Sequence, residues 1–110
     1  MPASPQRGEV WWVRLDPAQG SEIPKTRPCV VLSSDILNVH RRTVVVVPLS
    51  TAPHESPPLL IGLRSVGKPA VAVLDQLRAV TKERLQEKLG VLASTELRAL
   101  EDGLREILEL

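Results

Sequence analysis

Short apolar runs alternate with polar stretches along the whole chain, and the spacing of the apolar positions predicts strands nearly everywhere. Gly8 to Leu15 reads as a strand with Glu9, Trp11, Val13 and Leu15 on one face and Val10, Trp12 and Arg14 on the other. Asp16 to Thr26, with Asp-Pro, Gly20 and Pro24, reads as a long loop. Arg27 to Ser34 is a second strand, its proline near the start where a missing N–H is tolerated. Ser34 and Asp35 can cap a short helical turn reaching Val39. Thr43 to Leu49 is a buried strand built on four consecutive valines. A second polar loop runs over Ser50 to Pro58. Strands then follow at Leu59–Leu63 and Ala70–Val80, joined through Gly67, Lys68 and Pro69. Thr81 can cap a single helical turn, and Lys88 to Ala93 reads as a short returning strand.

The clearest element is the last. Leu97, Leu100, Leu104, Ile107 and Leu108 repeat at helical spacing over residues 94–110. Ser94 is placed to act as N-cap, and Glu96 suits the positive end of the helix dipole. Gly103 falls on the apolar stripe; a glycine there costs about 1 kcal/mol against alanine, which points to a close backbone contact. Residues 1–6 form a loose leader. The pattern predicts one domain over residues 1–110, mainly β with a C-terminal α-helix. It has about six short strands, and closing them into a small barrel disposes of the sheet edges.

Composition narrows the function classes. At 43% hydrophobic and 25% charged, the chain is too apolar for disorder, and no run is long enough to span a membrane. Met1 to Arg7 has no apolar core of a secretory signal, and the lone Cys29 can form no internal disulfide; both fit a cytoplasmic protein. A net charge of +1 and only two aromatic residues argue against a protein that coats nucleic acid or stacks many bases. The charge is unevenly spread, however. Residues 1–78 hold nine Lys+Arg and six Asp+Glu (+3), and residues 79–110 hold five and seven (−2). The basic residues fall on loops and strand ends, so a local positive patch is compatible with near neutrality.

The chain carries little obvious catalytic machinery. One Cys and two separated histidines, His40 and His54, make no zinc set, and no metal or other cofactor is implied. Gly62 to Lys68 matches the spacing of a phosphate loop, but Pro69 stands where the Mg²⁺-binding hydroxyl is needed. What remains is a concentration of polar residues at strand–loop junctions: Ser21, Glu22, Lys25, Thr26 and Arg27; Ser50 and Thr51; Gln76 and Arg78, which share a face by period-2 alternation.

These residues sit in an ordered series of motifs. They are Gly8-Glu-Val-Trp-Trp-Val-Arg-Leu-Asp-Pro, Gly20-Ser-Glu, Lys25-Thr-Arg-Pro-Cys-Val-Val-Leu, Val47-Pro-Leu-Ser-Thr and Asp75-Gln-Leu-Arg. The series resembles the MazF/PemK family of toxin endoribonucleases from about Arg7 to Leu108. The resemblance implies an SH3-like barrel that forms a homodimer, pairs with a cognate antitoxin and cuts single-stranded RNA without metal. The ends left are a 2′,3′-cyclic phosphate and a 5′-hydroxyl. It also implies Arg27 and Thr51 as catalytic residues, with the acid of Gly-Ser-Glu falling on Glu22. Lys25, Ser50, Gln76 and Arg78 are the RNA-binding candidates.

The chemistry of these residue types is compatible. Attack of a ribose 2′-OH on the adjacent phosphate needs a base, a donor for the charge on the phosphorane, and an acid for the leaving 5′-oxygen. Arg27 offers a planar fork of N–H donors to phosphate oxygens, and Thr51 one more. An arginine holds its proton tightly, so Arg27 is assigned chiefly to stabilising the transition state. The general base stays open between Arg27, Glu22 and, more weakly, His54. Trp11 and Trp12 point to opposite faces and are assigned to core or dimer packing rather than base stacking. Cys29, alternating with Val31, packs as a small apolar residue. The alternative is a non-catalytic, CcdB-like gyrase-binding module of the same barrel, which would need neither Arg27 nor Thr51.

Overall fold

The computed structural model describes residues 4–15, 25–51 and 54–110. Seven strands and two helices follow in the order β1 (Glu9–Arg14), β2 (Thr26–Val31), α1 (Asp35–His40), β3 (Thr43–Ser50), β4 (Leu60–Leu63), β5 (Ala70–Val73), β6 (Arg78–Thr81), β7 (Leu85–Val91) and α2 (Ser94–Leu108). All pairings are antiparallel, and the hydrogen-bonded order is β4-β5-β3-β2-β1-β7. β6 pairs a different stretch of β3.

Both faces of the central strands are buried, which is why they read as continuous apolar runs. On one face Val10, Val30, Val47, Leu49, Ile61, Leu63, Ala72, Leu74, Leu92 and Leu100 pack beneath α2. On the other, Val13, Leu15, Cys29, Val31, Val44, Val46 and Val80 fill the inside of the curled sheet, with Trp11 and Leu85 against them. Cys29 is fully buried beside Val31, as its alternation requires.

The single strand expected over Ala70–Val80 is two strands. A 3-10 turn over Leu74–Gln76 interrupts it. β3 is longer than either partner, so β5 pairs its end at Leu49 and Ser50 while β6 pairs its beginning from Thr43 to Val46. Leu74, fully buried, pins the turn between these two registers. The last strand begins at Leu85 rather than Lys88, and irregularities at Val10/Trp11 and Trp11/Val13 bend it around β1. No ladder closes β7 onto β6 or β4 among the described residues, so the small barrel is an open one. A second 3-10 turn, Lys82–Arg84, carries the chain across the barrel end instead of folding β7 back along β6.

The start of α2 also differs. Ala93, not Ser94, is the N-cap, and no side chain of its own caps the helix. The β4–β5 turn takes that role: Ser65 Oγ accepts the Ala93 N–H at 3.0 Å. Glu96 in turn accepts the backbone N–H groups of Arg64 (2.7 Å) and Ser65 (3.2 Å) and the Ser65 hydroxyl. Gly103 does sit at a close approach: a Cβ there would lie 2.5 Å from Leu74 Cδ1 and 2.9 Å from the Pro58 carbonyl oxygen. The leader is less loose than expected over its described part, since the Gln6 N–H is bonded to the Glu9 carboxylate and Pro5 is buried. α1 starts at the Ser34 cap, which accepts the Leu37 N–H. It turns Asn38 inward, where that side chain bonds Ser33, and leaves Ile36, Leu37 and Val39 exposed.

Candidate functional site

Antiparallel order brings the end of β1, the start of β2, the end of β3 and the start of β6 to one end of the barrel. Period-2 alternation then decides which residues rim its mouth. Arg27 shares a face with buried Cys29 and Val31. Pro48 and Ser50 share one with Val44 and Val46, and Arg78 one with Val80. Continued to the strand ends, each interior face reaches solvent and turns from apolar to polar. The result is a groove of about 600 Å³ lined by Leu15, Lys25, Arg27, Pro48, Leu49, Ser50, Val73, Gln76 and Arg78.

A second groove of about 380 Å³ continues from it. It shares Lys25, Arg27, Leu49 and Ser50 and adds Trp12, Thr26, Pro28, Thr51 and Ala70. Arg27 lies at the junction of the two. Trp12 stands across the β1–β2 pairing from Pro28 and is half-buried in the wall.

Six of the seven residues singled out in the sequence thus line one continuous surface. Arg27 is half-buried on β2, Lys25 is exposed just before it, and Ser50 ends β3 with exposed Thr51 following. Gln76 belongs to the 3-10 turn and Arg78 opens β6, so these two share the groove without sharing one strand face. The seventh, Glu22, lies outside the described residues. Asp75 and His54 are exposed and line neither groove. Trp12, expected to serve core or dimer packing, is half-buried and lines the second groove. Leu15, Pro48 and Val73 also line the groove unforeseen; nothing in their residue types marks them, and only the strand ends meeting at the mouth could have.

Among the described residues, the charged groups lining the mouth, Lys25, Arg27 and Arg78, are all cations. Neither Lys25 nor Arg27 has an ion-pair partner among the described residues. Cys29, two residues along the same strand face from Arg27, is fully buried and lines neither groove; its sulfur lies 3.6 Å from the Arg27 carbonyl oxygen. Burial pushes the thiol up to about 12, while the charges of Arg78 and Arg27 pull the other way. A site with a guanidinium fork, a hydroxyl and further cations around a narrow groove is suited to a polyanion of small cross-section. Among the described residues, no three His, Cys, Asp or Glu side chains gather as a metal-ligand set, and no helix is long and apolar enough to cross a membrane.

Residues 6–108 match the family model of the PemK-like, MazF-like toxins of type II toxin–antitoxin systems. The chain is 34% identical over 114 residues to Endoribonuclease MazF9 of Mycobacterium tuberculosis (strain ATCC 25618 / H37Rv), covering 96% of this chain and 97% of that protein. Its fold is similar to that of MazF from Deinococcus radiodurans, with a TM-score of 0.83 at 22% identity, covering 99% of this chain and 100% of that one. It is similar also to an endoribonuclease in complex with its cognate antitoxin from a mycobacterial species, with a TM-score of 0.78 at 23% identity and coverage of 97% and 95%.

Proposed function

The chain belongs to the PemK-like, MazF-like toxin family of type II toxin–antitoxin systems, and we propose that it is an endoribonuclease cutting single-stranded RNA in the cytoplasm without a metal ion. The observation that carries the reading is the convergence of Arg27 and Thr51 with Lys25, Ser50, Gln76 and Arg78 on one positive groove. The 34% identity to a protein named an endoribonuclease over nearly the whole chain supports the activity.

In the proposed reaction the ribose 2′-oxygen attacks the adjacent phosphorus and the bond from phosphorus to the 5′-oxygen breaks. A 2′,3′-cyclic phosphate and a 5′-hydroxyl result. The nucleophile belongs to the substrate, so the protein has only to position the phosphate, stabilise the phosphorane and move two protons. Arg27 donates to the phosphate oxygens where negative charge builds, and Thr51 adds a hydroxyl donor. Glu22 is the proposed base for the 2′-proton. Lys25, Ser50, Gln76 and Arg78 hold the flanking nucleotides.

The cognate antitoxin is proposed to lay an acidic, extended segment in the same groove and so exclude RNA. A homodimer is proposed too, supported by the apolar side chains of Ile36, Leu37 and Val39 that α1 turns outward. The test uses the purified chain on a long mixed-sequence RNA in excess EDTA, with light scattering on the same sample. Cutting with cyclic-phosphate ends, by a particle of twice the 12.1 kDa chain mass, is expected. Uncut RNA would sink the nuclease, and a monomer mass would sink the dimer.

A further inference from the structure

Beyond Thr51 the groove opens into a smaller pocket of about 220 Å³ that none of the assignments above uses. It is lined by Thr51, Glu55, Gly62, Leu63, Arg64, Pro69, Ala70 and Val71. Thr51 and Ala70 line both this pocket and the groove that holds Arg27, so a strand passing the reaction centre can place its next nucleotide here. The walls from β4 and β5 are rigid. Gly62 pairs with Val71 and Leu63 with Ala70, and exposed Pro69 on the rim offers apolar surface to the face of a ring.

Gly62 stands inside a strand of four residues, where a glycine gives up side-chain packing and marks a close approach. What approaches is Glu55: a Cβ at Gly62 would lie 1.7 Å from Glu55 Oε1 and 2.5 Å from its carboxyl carbon. The missing side chain is what seats that carboxylate against the sheet. No hydrogen bond or ion pair joins it to another described residue. On the far rim, the backbone of Arg64 is fastened to α2 through Glu96, which leaves the Arg64 side chain to meet a phosphate.

We propose that this pocket is a base-selective subsite for guanine next to the scissile phosphate, with Glu55 as the reading group and Gly62 as the residue that positions it. The proposal rests on the groove being an RNA site. A carboxylate presents two acceptor oxygens side by side. Guanine alone among the four bases offers two adjacent donors, N1–H and N2–H, on its Watson–Crick edge. Adenine and cytosine each set one donor beside an acceptor, and uracil sets its donor between two carbonyls. Those acceptors would face the Glu55 oxygens and be rejected.

The test reads binding rather than cleavage. Fluorescence anisotropy is measured with uncleavable 2′-O-methyl hexanucleotides, uridine throughout except for one guanosine, adenosine, cytidine or inosine. The guanosine oligomer is expected to bind about tenfold tighter than the others, and inosine, which lacks N2–H, to lose most of that gain. Glu55→Gln puts an N–H₂ opposite a donor, and Gly62→Ala displaces the carboxylate without altering it. Both are expected to erase the preference while keeping the affinity for all-uridine oligomer and the thermal melt of the parent. Equal binding of all four oligomers, no binding at all, or a preference that survives in both variants overturns the proposal. The nuclease reading fails separately: guanosine-selective binding by a chain that cuts no RNA keeps the pocket, and cutting without guanosine preference removes it.

Discussion

Where α2 covers the sheet, acidic side chains are consumed by structure. Glu96 holds the β4–β5 turn, Glu101 meets Arg7, and Asp102 pairs with Arg105. Glu9, at the opposite end of β1 from the groove, is treated likewise. Burial opposes its charge, but donors from Lys88, the Gln6 N–H and Trp11 Nε1 hold its carboxyl below the usual value. At the mouth of the barrel the pattern reverses, for Lys25 and Arg27 lack ion-pair partners among the described residues. A total of +1 therefore hides a contrast: Glu9, Glu96, Glu101 and Asp102 fasten the frame, whereas Lys25 and Arg27 at the mouth have no ion-pair partner among the described residues.

Breaking the mouth should cost activity and almost no stability. Arg27→Ala removes the fork of donors aimed at the phosphorane, and loss of one such group typically slows a reaction by about 10²–10³-fold. The side chain is half-buried and makes no ion pair with a described residue, so unfolding in urea is expected to shift by less than about 1 kcal/mol. Single-turnover cleavage and a denaturation curve on the same protein read both numbers. A variant that cuts at the parent rate would remove Arg27 from the reaction.

Breaking the frame should do the opposite. Gly103→Ala would gain about 1 kcal/mol of helix propensity if space allowed. Its Cβ, however, meets Leu74 Cδ1 at 2.5 Å and the Pro58 carbonyl oxygen at 2.9 Å. A leucine methyl can swing aside; a backbone carbonyl cannot. Overpacking costs about 1–3 kcal/mol, so net destabilisation is expected, with cleavage per folded molecule unchanged. A stabilised variant would show that α2 does not need this close approach.

The frame was more legible in the sequence than the mouth. The valines of β3, the Cys29–Val31 alternation and the α2 stripe are each readable from local sequence, and the structure keeps them, except that Leu108 at the end of the stripe is exposed. Failures came where one element's conformation depends on another. The break at Leu74–Gln76 answers to the length of β3, and the missing cap at Ser94 to a hydroxyl 28 residues away from Ala93. At the mouth, resemblance and residue type picked out Arg27 and Thr51. Trp12 escaped because its place on the second groove follows from which strand ends meet, and no local pattern encodes that.

The smallest expected effect joins the two regions, because Cys29 belongs to the core and shares a strand face with Arg27 two residues away. Its thiol is held at about 12 against an ordinary 9.0, first by burial, with Arg78 and Arg27 opposing. The folded thiol thus keeps its proton more tightly than the unfolded chain does. Its contribution to stability is fully present below pH 9 and is lost as pH rises from there toward 12. At pH 8 the native thiol is therefore expected to resist iodoacetamide, while the urea-unfolded chain is alkylated readily, since only thiolate reacts. Arg27→Ala takes away one of the opposing charges, so it should leave the native thiol no more reactive than in the parent. Faster alkylation in that variant would mean that the arginine acts as a lid over the core, and that mouth and frame are not separable at this strand.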